Sequence, residues 1–130
     1  MVRGTMWVAF LLATLMPRAS AQDYFTGLAM LKQCEQAERY LSSPGSLEGV
    51  AGAQAATCVG FLRGLATGIL IGEGDAGRKK SRVYCAPDQF SLEQQLRVSL
   101  KWLRDHPARL HEDASILLAL ALKQSFPCSR

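Results

Sequence analysis

The chain has 130 residues, 48% of them hydrophobic, with 15 lysines and arginines against 11 acids and a formal charge of +4. A chain this long holds one modest core and not two. So small an excess of positive charge excludes the strongly basic field of a nucleic-acid-binding protein.

The first 21 residues read as an export signal. Arg3 supplies a positive start, Met6 to Met16 is almost unbroken apolar sequence, and Ala19-Ser20-Ala21 has the small-x-small pattern of a cleavage site. The apolar run is too short to span a bilayer, and no cysteine follows it for lipid attachment. Cleavage after Ala21 is expected to leave Gln22–Arg130 as a single domain. Removing Arg3 and Arg18 leaves 13 basic residues against 11 acids, a net charge of about +2.

A first helix is expected from about Thr26 to Leu41, with Leu28, Leu31, Cys34 and Leu41 near one face. Ser42-Ser43-Pro44-Gly45-Ser46 breaks it with strong turn chemistry. A second helix begins around Val50 to Ala53. Its apolar residues (Val59, Phe61, Leu62, Leu65, Ile69, Leu70 and Ile71) lie nearly all round, which predicts a buried central helix. Gly60, Gly64, Gly68 and Gly72 recur every four residues, each costing roughly 1 kcal/mol relative to alanine. The stripe Gly60, Gly64, Gly68 is therefore expected to pack closely, against a neighbouring helix or a second subunit. A membrane helix with a GxxxG face is the competing reading. Arg63 at mid-span, which costs about 2.5–3.5 kcal/mol on insertion scales, argues against stable insertion.

Gly72 to Gly77 ends that helix in a flexible acidic stretch, and Arg78-Lys79-Lys80-Ser81-Arg82 follows. The glycines lack phosphate-loop spacing and no Gly-Lys-Ser/Thr follows, so phosphate cradling is a poor reading. A solvated loop is the plain reading. Loops on rigid scaffolds also carry binding function, which makes Glu73, Asp75, Arg78, Lys79, Arg82 and Tyr84 candidate partner contacts. The chain then runs from Cys85 through Pro87 to Ser91, a good helix N-cap, with Gln94 positioned to complete a capping box. Leu92, Leu96, Leu100 and Leu103 set the stripe of a third helix, widened by Val98 and Trp102. Pro107 ends it at His106. Ala114 to Leu122 forms a fourth helix, closed by Phe126-Pro127-Cys128.

An even cysteine count in an exported chain suggests two disulfides, and four cysteines allow three pairings. Helix geometry selects among them. Cys34 lies about two turns before the first break and Cys58 about two turns after it, so an antiparallel hairpin brings them level. The second hairpin returns Cys128 to Cys85. The expected pairs are Cys34–Cys58 and Cys85–Cys128. A metal site is disfavoured because no C-x-x-C pair occurs. The expected fold is all-α: a small disulfide-stapled bundle of about four helices in two antiparallel hairpins.

His106 and His111, flanked by Asp105, Glu112 and Asp113, form the only cluster that suggests metal ligation or acid–base work. They fall in a helix connection beside a proline, where a surface or capping role is expected. No nucleophile motif surrounds any serine, and paired cysteines are unavailable. The chain reads as a non-enzyme needing no cofactor and no metal.

The order Cys85-x-Pro87, capped Ser91, Leu103-x-x-His106-Pro107, Ala114-x-x-Leu117, Ala121-Leu122 and Phe126-Pro127-Cys128 resembles the Tai/Rap family. These are periplasmic immunity proteins against type VI secretion amidase effectors. Upstream, Cys58-Val59-Gly60-Phe61-Leu62-Arg63-Gly64 is similar to that family's Cys-x-Gly-aromatic-aliphatic-x-Gly helix. The resemblance implies a periplasmic inhibitor that occludes a peptidoglycan-cleaving amidase, as a homodimer. The alternative is a small exported helical protein with a structural or ligand-carrying role. Under the first reading the Glu73–Tyr84 loop is the expected contact, with the His106–His111 turn as the alternative.

Overall fold

The computed structural model describes residues 25–45, 48–75 and 82–129. The cleavage site at Ala21 lies outside them. Four α-helices make up the described chain: α1 (Gly27–Ser42), α2 (Gly49–Asp75), α3 (Leu92–Asp105) and α4 (Ala114–Ser125). A short 3-10 turn, Pro107–Arg109, joins the last two. Among the described residues there is no strand, only an isolated bridge between Thr26 and Asp113. The all-α bundle is as expected.

The helices start where their caps direct. The Thr26 hydroxyl accepts the Ala29 N–H, the Ser91 hydroxyl accepts the Gln94 N–H at 3.1 Å, and Asp113 accepts from the Ser115 and Ile116 amides. Each satisfies an amide that the first turn leaves orphaned. α3 stops at Asp105, before the His106-Pro107 pair.

Met30, Cys34, Ala37, Leu62, Leu96, Leu100, Leu103, Leu117, Leu118 and Ala121 form the shared core. Both expected disulfides are present. Cys34–Cys58 lies fully buried in that core with its Cα atoms 5.1 Å apart, and Cys85–Cys128 joins the two ends of the second hairpin at 5.0 Å. The Gln95 amide donates to the Leu62 carbonyl across the α2–α3 contact at 2.8 Å.

The start of α1 is latched onto the α3–α4 connection. Gly27 N–H donates to Glu112 O at 2.9 Å and Leu28 N–H to Leu110 O at 2.8 Å. A Cβ on Gly27 would stand 2.5 Å from Leu117 Cδ1 and 3.2 Å from the Leu110 backbone. The close approach is possible only because Gly27 has no side chain.

α2 departs from expectation. It is not a buried central helix: only Ala55, Cys58 and Leu62 are buried on it, with Val59, Phe61 and Leu65 packed alongside. At 27 residues it is about 40 Å long, against about 24 Å for α1. Its shorter partners cannot cover it. The C-terminal half runs past them, leaving Leu70 69% and Ile71 59% exposed.

Candidate functional site

The overhang of α2 forms one wall of a cleft, and the segment leading into α3 forms the other. Cys85 is tied to Cys128, and its N–H donates to Phe126 O at 2.9 Å. Phe90 packs edge-on against Phe126 at 4.9 Å and lies 6.3 Å from the Tyr84 ring. These ties hold Arg82–Ala86 beside α2. The cleft between them has a volume of about 310 Å³ and is lined by Ala66, Thr67, Ile69, Leu70 and Glu73 on the helix, and by Arg82, Tyr84, Cys85 and Ala86 on the segment.

Glu73 bridges the two walls, its carboxylate accepting the Val83 N–H. Burial pushes the Tyr84 phenol above its ordinary range, and the charge of Glu73 adds to the effect. Tyr84 therefore stays a neutral hydrogen-bonding group with an apolar ring. Three of the six residues picked out by sequence, Glu73, Arg82 and Tyr84, line this one cleft. The Asp75 side chain, Arg78 and Lys79 lie outside the described residues. Sequence reading missed the helical wall, although Ala66, Ile69, Leu70 and Glu73 share the spacing of one helix face.

The His106–His111 turn is a structural joint. The His106 ring stacks on Trp102 at 4.0 Å and donates through Nδ1 to the Trp102 carbonyl at 2.7 Å. The Arg109 guanidinium lies 5.5 Å from the centre of the same indole, and the indole N–H donates to Gln124. The neighbouring carboxylates are engaged. Glu112 pairs with Arg109 at 2.7 Å, Asp105 with Lys101 at 2.7 Å, and Asp113 caps α4. Arg109 holds the Glu112 carboxyl below its ordinary range, and the bond from Ser115 does the same for Asp113. Among the described residues no group of three His, Cys, Asp or Glu side chains converges as metal ligands.

The glycine stripe opens outward. A Cβ added at Gly60, Gly64 or Gly68 would meet nothing within 4 Å, so no neighbouring helix of the described chain packs on it. The glycine that does permit close approach is Gly27, which sequence reading passed over because it stands alone at a helix start.

A family model for Rap1a immunity proteins matches residues 26–128. The chain belongs to the Rap1a immunity protein family. Searches of curated proteins and of solved structures return no match. The match covers all four helices of this Rap1a-family protein and both cysteine pairs. Family membership implies that the chain binds a secreted effector and neutralises it.

Proposed function

We propose that this Rap1a-family protein is exported, cut after Ala21, and works in the periplasm as the 22–130 domain. There it inhibits a secreted peptidoglycan amidase by covering its active site, turning over no substrate. The observation that carries this reading is the cleft itself. A disulfide-held segment and a helix overhang present Glu73, Arg82 and Tyr84 together on a scaffold ordered before the partner arrives. Preorganisation of this kind limits the ordering entropy lost on docking. Tyr84 offers an aromatic anchor and Arg82 a steering charge.

The protein works as a homodimer in this reading, with the open face at Gly60, Gly64 and Gly68 available to a second subunit. α2 is long and apolar enough to cross a membrane, with a mean hydropathy of 1.5 over Gly49–Gly74. Its bond to Cys34 opposes insertion, because α1 would bring Lys32, Glu35 and Arg39 with it.

The test is co-expression of the chain with a periplasm-directed amidase encoded beside it. Rescue of growth is expected, weakened by Arg82→Glu with the fold intact. No binding between the purified pair by calorimetry would overturn the reading. Ligand carriage has one observation in its favour, an almost wholly apolar cavity of about 440 Å³ among Tyr40, Leu41, Ala55, Val59 and Leu92. Recovery of a bound small molecule from purified protein would favour it.

A further inference from the structure

Small residues on two facing helices leave a hollow in the bundle, well away from the cleft. Ala37 comes from the end of α1, and Gly52, Ala55 and Ala56 from the start of α2. Leu92 and Leu96 of α3 line the same space, whose volume is about 440 Å³. Its floor belongs to the core, because Ala37, Ala55 and Leu96 are all buried. Its rim does not: Tyr40 and Leu41 line the hollow without filling it and are left 48% and 49% exposed. Cys34 and Cys58 stand one turn from Ala37 and Ala55, so their disulfide fixes the register of the two walls.

The lining is almost wholly apolar, and its charge is already spoken for. Glu93 is the only ionisable carboxylate in it. That group accepts from Nε and Nη2 of Arg97 at 3.1 and 2.6 Å, which leaves the rim without net charge. The Tyr40 phenol is the only uncharged hydrogen-bonding side chain among the lining residues.

We infer that this cavity binds a small, uncharged molecule with a hydrocarbon body and a hydroxyl-like polar end. Water gains little there, since an ordered water needs two to four polar partners. A hydrocarbon body gains by covering the walls together with Tyr40 and Leu41. An ionic group meets no free counter-charge and loses hydration on entry. The polar end stays at the mouth, within the province of the Tyr40 hydroxyl. Concave, mainly apolar cavities of this volume are the usual form of a small-molecule site. The inference gives a ligand class to the carriage reading above and does not depend on effector binding. Ala56 in the cavity and Thr67 in the cleft lie about 16 Å apart along α2.

The test titrates the oxidised mature chain with the straight-chain alcohols from hexanol to decanol, by calorimetry and methyl NMR. Affinity should rise about fourfold for each added CH₂ until the hollow is full. Shifts should appear at the methyls of Leu41, Val59, Leu92 and Leu96. Ala56→Phe places a ring in the hollow from an exposed wall position and should weaken decanol at least about tenfold. Gly52→Leu fills the same space from one turn away, should the ring disturb folding. Octanoate and octylammonium should bind no better than octanol. Affinity indifferent to chain length, shifts mapped elsewhere, or full affinity in both filled variants would each overturn the inference. So would a dimer or an amidase complex that buries Leu41 and Ala56, which would make the hollow a protein contact. Recovery of an ionic molecule from the cavity of purified protein would overturn the ligand class and leave carriage standing.

Discussion

One substitution made at two glycines should have opposite effects. At Gly64 a new Cβ meets open space, so alanine gains only the helix propensity that glycine lacks, about 1 kcal/mol. At Gly27 the same Cβ falls 2.5 Å from Leu117 Cδ1 and 3.2 Å from Leu110 Cα and O. Leu117 is fully buried, so any shift of its side chain must be absorbed by the core around it. The Leu110 backbone is fixed by the bond it accepts from Leu28 N–H at 2.8 Å. Overpacking of this kind costs about 1–3 kcal/mol, and a first-turn position recovers little propensity. The two variants should therefore differ by about 2–4 kcal/mol, which is a spread of roughly 10–25 °C in Tm for a domain of this size. Thermal and urea unfolding of the dilute mature chain measures it. A Gly27→Ala protein as stable as wild type would refute the latch described for α1. A Gly64→Ala protein less stable than wild type, by an amount that grows with protein concentration, would show the open stripe to be covered by a second subunit.

Three other outcomes follow from the core and its charges. Loop-closure entropy assigns about 3.4 kcal/mol to Cys34–Cys58 and about 4.0 kcal/mol to Cys85–Cys128, which span 24 and 43 residues. Replacing either pair with alanine should lower the urea midpoint by a large share of total stability, and an unchanged midpoint would contradict this. Leu62→Ala, at a fully buried site, should cost about 2–5 kcal/mol by the same assay. The hydrogen bond from Arg104 holds the Glu38 carboxyl below its ordinary value of 4.5. A lowered folded-state pKa gives stability present above the unfolded value and lost as pH falls through the folded one. Both side chains are about two-fifths exposed, so screening keeps the contribution below about 1 kcal/mol. The stability gap between wild type and Arg104→Ala should close progressively as pH falls below the ordinary value of 4.5, and a gap that stays constant would refute the assignment.

Much of the fold was legible because the local signals agreed with one another. Ser91 caps where its side chain suggested, Pro107 ends α3, and the two breaks set the cysteine levels. α2 was misjudged because a helix apolar on every side carries no directional signal. Its exposure follows from a mismatch in length with α1, which only the assembled bundle displays. The cleft was half legible. Glu73, Arg82 and Tyr84 stood out as a charged loop with an aromatic, whereas the wall of Ala66, Thr67, Ile69 and Leu70 looked like ordinary core.

The uneven cover on α2 gives one helix two stabilities. Around Cys58 and Leu62 its amides open only when the whole domain does, because the disulfide and the core close over them. Beyond Thr67 the backbone bonds face water on one side, and the last turns can fray without disturbing that core. Hydrogen exchange should accordingly accelerate steeply along the helix from Leu62 to Glu73. A partner seated in the cleft would flatten that gradient from the C-terminal end, so the slow-exchanging region would lengthen while the global unfolding limit at Cys58 set its ceiling.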